Sequence, residues 1–175
     1  MKTLVRILIA LTIFICGSTI VFAQSTKQEK QAAKHAAIKK MVDSSVYVFK
    51  ANYALPLRGT QKNLTPDYYD LIVTKDTITA YLPYYGRAYT APNDIYTNEG
   101  GIKFKSGNFS YVTKQNKNGS WLITIKPKDT NMANWRSVQQ MTLNISTNGY
   151  ASLQVISSNR DMISFDGTIE DIKTK

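Results

Sequence analysis

Apolar and polar positions alternate along most of the chain after residue 44, whereas before it they recur at helical spacing. Ala33, Ala37, Ile38, Met41 and Val42 fall three and four residues apart in a stretch of alanine, glutamine and lysine. A narrow apolar stripe on good helix formers predicts a helix from about Lys27 to Met41. From Ser45 to Tyr53 the period drops to two, so that Tyr47, Phe49, Ala51 and Tyr53 share one face of a first strand. Pro56 to Pro66 reads as a loop. Three hairpins follow from the turn signals between later β-rich runs. Tyr68 to Val73 and Thr77 to Leu82 flank Thr74-Lys75-Asp76, and Phe109 to Thr113 and Trp121 to Ile125 flank Asn116 to Gly119. Val138 to Ile145 and Tyr150 to Ile156 flank Thr147-Asn148-Gly149, where Asn-Gly is the strongest short-range hairpin signal. Ile102 to Phe104 and Met162 to Ile169 bring the total to about nine strands. Trp135, in the irregular stretch from Asp129 to Arg136, is expected to cap the core.

Successive hairpins with no helix between them imply an antiparallel meander, and that many strands must curl or split to hide their edges. The expected fold class is all-β: a single antiparallel meander barrel, lipocalin-like in scale, or a two-sheet sandwich, preceded by a short N-terminal helix. The expected organisation is a signal peptide over residues 1–23, a basic helical lead segment over 24–43 and one antiparallel β domain over 44–171. The lead is read as a solvated spacer whose last turns dock on the sheet and which the β-core can do without. A basic helix lying on an anionic membrane or glycan is the alternative.

The first 23 residues change the picture most. Lys2 and Arg6 precede an apolar run from Ile7 to Cys16, and Val21-Phe22-Ala23 ends the segment with small residues three and one before the break. That is the pattern of a secretory signal peptide cleaved between Ala23 and Gln24, and it predicts a periplasmic or secreted protein with no stable membrane anchor. Cleavage removes the only cysteine of the 175-residue chain, so the mature protein has no disulfide and no thiolate site and must rely on its core. Lys2 and Arg6 leave with it while no acid does, which lowers the formal charge from +10 to +8.

One stretch, Ala80 to Phe104, breaks the strand pattern. Tyr81, Tyr84, Tyr85, Tyr89 and Tyr96 surround Gly86-Arg87, with Pro83 and Pro92 on either side and Gly100-Gly101 before the next apolar run. Glycine and proline force the segment out of a sheet. Tyrosine offers a flat apolar face with a polar tip, on which arginine can stack while keeping its charge. Tyr81, Tyr84, Tyr85, Arg87 and Tyr89, with Arg58 from the loop after the first strand, are therefore the candidate ligand-binding residues. The alternative is a packed lid in which Arg87 is enclosed by tyrosines and bonded to loop carbonyls or to Asp94 or Glu99.

Catalytic chemistry finds few candidates. His35 is the only histidine and lies in the lysine-rich helix, away from any expected core, which argues against a serine-histidine-acid triad and a histidine-based metal site. No phosphate loop or dinucleotide fingerprint occurs. Asp94 with Glu99 is the one carboxylate pair near an expected pocket, and a hydrolase resting on it is the third-ranked function. The expectation is a protein that is not an enzyme, with no cofactor, metal or catalytic residue. It would bind a small apolar or anionic ligand or an envelope component, or act as a structural or interaction module. Nucleic acid is excluded by the export signal and by lysines interleaved with acids.

At YLPYYGRAY (Tyr81 to Tyr89) and GGIKF (Gly100 to Phe104), with NYALP (Asn52 to Pro56), NLT (Asn63 to Thr65), YYDL (Tyr68 to Leu71) and SSNRDMISFDGTIE (Ser157 to Glu170), the sequence resembles an uncharacterised family of exported Bacteroidota proteins catalogued as a domain of unknown function. The likeness covers roughly Met41 to Glu170. It implies an export signal, a short helical lead and one all-β domain, and brings no catalytic or ligand residue with it. In a bacterial chain the Asn-x-Ser/Thr triplets at Asn63, Asn108, Asn118 and Asn144 are coincidental. Asp76-Thr77-Ile78 resembles an O-glycosylation triplet of that phylum, with Thr77 as the acceptor.

Overall fold

Each alternating segment forms a strand that turns its apolar set inward. The computed structural model describes residues 27–89, 101–129 and 138–172. The signal peptide, Tyr96, the Asp94 and Glu99 pair and Trp135 lie outside the described residues. A helix, α1, spans 27–44. It is followed by β1 (Tyr47–Pro56), β2 (Lys62–Asn63), β3 (Asp70–Val73), β4 (Ile78–Leu82), β5 (Ile102–Ser106), β6 (Phe109–Gln115), β7 (Trp121–Pro127), β8 (Val138–Ile145), β9 (Tyr150–Ser157) and β10 (Ile163–Glu170). The strand missing from the sequence reading is β2, whose two residues are too short to show a period.

All pairings are antiparallel, and the strands lie in the order β5-β4-β3-β1-β10-β9-β8-β7-β6, with β2 added to β1. Read as a circle, this is the order of the chain itself. The first long strand pairs with the last, and the two unpaired edges, β5 and β6, are consecutive in sequence. A single continuous sheet has thus curled into a nearly closed barrel, and the sandwich alternative falls because the sheet is never split in two. The edges meet at the turn Gly107-Asn108, where Asp129 acts as a clasp. Ser106 Oγ donates to Asp129 Oδ1 at 2.5 Å, and the amides of Gly107 and Asn108 donate to Oδ2 at 3.2 and 3.3 Å. The serine bond, and then the amides, hold the Asp129 carboxyl below its ordinary pKa. Lys103 and Lys105 on β5 and Lys114 on β6 blunt edges that would otherwise invite another strand.

The first strand departs from simple alternation. Ala51 pairs with Gly167 and Tyr53 with Asp166, so Asn52 is an extra residue, a β-bulge. Burial then runs inward at Ala51, outward at Asn52 and Tyr53, and inward again at Ala54. Tyr53, expected on the inner face with Tyr47, Phe49 and Ala51, is instead 41% exposed. The bulge inverts the phase of every residue after it.

The interior is filled. Tyr47, Phe49, Phe165, Leu71, Ile123, Ile125, Met141 and Leu143 are fully buried, as in a small barrel whose side chains occupy its lumen. Tyr47 satisfies its buried hydroxyl 3.2 Å from that of Tyr111 on β6. The helix closes one end. Ile38 and Val42 are 4% and 2% exposed and belong to the core, whereas Ala33 and Ala37 face solvent. The β8–β9 turn lies directly beneath, where Gly149 at φ +83° approaches Ile38 so closely that a Cβ would stand 2.8 Å from its Cδ1. His35, expected away from the core, stacks on the buried Trp121 with ring centroids 5.4 Å apart. The helix thus docks on the core along one face, from His35 to Val42.

Ile38→Ala is expected to cost about 2–4 kcal/mol in urea unfolding, because it opens a cavity under the helix. Lys40→Ala on the exposed face should stay within about 0.5 kcal/mol. Equal, small effects of both would mean that the helix does not seal the core.

Candidate functional site

The end of the barrel opposite α1 is covered by the tyrosine segment. The chain leaves β4 at Leu82, turns through buried Pro83 and reaches the β9–β10 turn, where two stretches of backbone clasp. Ala88 forms an antiparallel bridge with Arg160. The Tyr89 amide donates to Asn159 O at 2.8 Å and the Asp161 amide to Arg87 O at 2.9 Å. Tyr84 folds back over Gly86, where a Cβ would stand 2.6 Å from its hydroxyl, so any larger residue would displace the ring. That hydroxyl is shared between two carbonyl oxygens, Arg87 O and Asp161 O, each at 3.0 Å.

The arginine stacked on this tyrosine is not the expected one. The Arg160 guanidinium lies 4.6 Å from the Tyr84 ring centroid and the residue is only 3% exposed, a desolvated cation–π contact. Beside it Asp161 is 5% exposed and accepts a hydrogen bond from the Tyr89 hydroxyl. Arg160 and Asp161 are the residues that the sequence reading missed. In the sequence they stand only as part of the SSNRDMISFDGTIE run, a charged pair directly before the apolar start of β10.

Arg87 contributes its backbone to the clasp and leaves its side chain exposed. Arg58, just past the end of β1, is exposed too. Both guanidinium groups reach Tyr89 electrostatically. The bond to Asp161 pushes the Tyr89 hydroxyl above its usual pKa, and Arg58 and Arg87 pull it back. Neither arginine forms a salt bridge with a described carboxylate; the ion pairs between described residues are Lys39 with Asp43 and Lys50 with Glu170. Arg58, Arg87 and the 62% exposed Tyr89 therefore form one corner of the rim.

The six candidates do not all converge. Tyr81 stands on the outer wall of β4, in a row with Lys50, Asp70 and Lys103 on neighbouring strands. Its ring stacks on Tyr69 at 5.6 Å, and Lys103 Nζ sits 4.8 Å from its centroid. Tyr85 is 37% exposed. Among the described residues no group of three or more histidine, cysteine or acidic side chains is placed to hold a metal ion, and no helix is long and apolar enough to cross a membrane.

Residues 29–169 match the model of a family described as Domain of unknown function (DUF4251). Among solved structures, the chain is similar to the crystal structure of a DUF4251 family protein from Bacteroides eggerthii DSM 20697, at 16% identity and a TM-score of 0.55. The match covers 81% of this chain and 91% of that one, a likeness of fold. No curated protein matches the chain.

The clasp generates a prediction about alkaline pH. Burial raises the pKa of Tyr84 and Tyr47 above the ordinary tyrosine value. The folded protein thus holds protons that unfolded tyrosines release near pH 10, so this stability is complete below about pH 10 and is lost as pH climbs towards the folded values. Urea melts of Tyr84→Phe should show a loss of about 1 kcal/mol at neutral pH, from the missing donor, and a shallower decline above pH 10. An alkaline limb as steep as that of the unmodified protein would contradict the placement of this hydroxyl.

Proposed function

The chain belongs to the DUF4251 family, and from that premise we propose that it is an exported, non-enzymatic binding protein of the cell envelope whose rim holds an anionic group. The observation that carries this reading is the pair of exposed guanidinium groups, Arg58 and Arg87, beside a tyrosine whose hydroxyl is already committed to Asp161. The Asp161 carboxylate is thereby buried and engaged, and the two forks face solvent with their donors available for a carboxylate, sulfate or phosphate. The clasp supports pre-organisation, because the backbone of Arg87 is fixed by Asp161 while its side chain stays out.

Of the two ligand classes expected, the anionic one has this support. An apolar ligand would need a lumen, and the fully buried side chains of β1, β7, β8 and β10 fill it. Among the described residues hydrolysis has no support at the rim, since the Asp161 carboxylate is taken up by Tyr89 and His35 lies at the far end of the barrel. The export pattern at Ala23 and Gln24 sets the compartment in this reading.

Isothermal titration of the protein with dextran sulfate and with inorganic phosphate tests the proposal. Binding should weaken as salt is raised, and the double variant Arg58→Ala, Arg87→Ala should lose at least about tenfold in affinity. Its thermal unfolding should shift little, because surface changes stay within about 0.5 kcal/mol. Undiminished affinity in the double variant would overturn the assignment, and absence of binding by either probe would favour a structural or interaction role.

A further inference from the structure

A second surface, remote from the rim arginines, has its own chemistry. On the outer wall Tyr53 pairs with Asp166, Asp166 with Ser152 and Ser152 with Asn144, so one row of exposed side chains crosses β1, β10, β9 and β8. The bulge adds Asn52 to the same face, against Asp166. Tyr150, 63% exposed, stands two residues before Ser152 on that face. Together they enclose a groove of about 430 Å³, with Gly167 and Ala151 in its floor.

We propose that this groove binds a neutral oligosaccharide, with the rings of Tyr53 and Tyr150 as stacking platforms and Asp166, Asn52 and Asn144 as partners for its hydroxyl groups. The composition of the lining selects that class. It contains no lysine or arginine, so it offers nothing to an anion. A carboxylate and two amides provide both acceptors and donors in planar pairs, which match adjacent hydroxyls on a sugar ring. The exposed tyrosines present flat, partly apolar faces with few rotamers to freeze, which suit the C–H face of a pyranose.

Placement supports the same conclusion. Two strand spacings sideways and two residues along separate Tyr53 from Tyr150, roughly 12 Å between Cα atoms. A chain of a few sugars spans such a gap, whereas a single small ion does not. The bulge is what turns Asn52 and Tyr53 outward side by side, and re-aiming side chains is a recurrent use of such irregularities.

Saturation-transfer NMR on the full chain with cellotetraose, xylotetraose, mannotetraose, maltotetraose and N-acetylchitotetraose tests the proposal. At least one should receive saturation on its ring-face protons. Tyr150→Ala and Asp166→Ala should each weaken that binding by about tenfold or more, with Tyr150→Phe retaining most of it. The Arg58→Ala, Arg87→Ala variant should bind the same sugar unchanged, so the two sites can fail separately. Because Tyr150 and Asp166 are exposed, thermal melts of these variants should match the unmodified protein and exclude unfolding as the cause. The proposal is overturned if none of the five sugars binds, if binding survives both Tyr53→Ala and Tyr150→Ala, or if the groove takes spermidine and no sugar.

Discussion

The shape of this barrel depends on the close approach of two backbones at the bulge in β1. Gly167 on β10 stands so near the first strand that a Cβ built on it would lie 1.8 Å from Lys50 O and 3.1 Å from Ala51 Cα. Only a residue without a side chain allows that contact. With it in place, Asn52 is squeezed out of the ladder, β1 bends, and its second half pairs with β2 after its first half has paired with β3. Bending and extra twist at a bulge are what let a sheet of this length turn on itself. The ladder between β1 and β10 joins the first and last long strands, so the irregularity sits where the circle is closed.

The remaining openings are sealed by side chains. The Asp129 clasp holds the edge strands where no ladder joins them, α1 plugs one end through Ile38 and Val42, and the Tyr84 clasp covers the other. Each seal uses a different interaction: charge-assisted hydrogen bonds, apolar burial, and a stacked arginine with shared carbonyls. The fully buried side chains of the inner face fill the lumen. That is why both proposed sites lie outside the core, one at the rim and one on the wall.

Much of the architecture was legible because period and turn chemistry are local. Thr147-Asn148-Gly149 marked its hairpin, and the β-rich run from Tyr68 to Val73 before Thr74-Lys75-Asp76 marked β3. Tyr53 was misplaced because a bulge is dictated by the partner strand, and nothing near Asn52 announces that Gly167 will stand against Lys50 and Ala51. The helix stripe gave the right element, but its alanines disguised how firmly Ile38, Val42 and His35 dock, since docking depends on the distant β8–β9 turn and on Trp121. At the rim, tyrosines and glycine marked where the chain leaves the sheet. Which arginine stacks on Tyr84 was decided by a turn more than 70 residues away in sequence, at Arg160 and Asp161.

Paired glycine substitutions test the central constraint most directly. Gly107 has open space around it, its nearest neighbour being Asp76 O at 3.8 Å from an added Cβ, and it serves as the control for the intrinsic effect of adding a methyl group. In urea unfolding, Gly167→Ala should lose at least about 3 kcal/mol, because the clash is with backbone that cannot rotate away. Gly107→Ala should change stability by no more than about 1 kcal/mol in either direction. If Gly167→Ala were as stable as Gly107→Ala, the close approach would not be what fixes the bulge, and the account of how the barrel closes would be wrong.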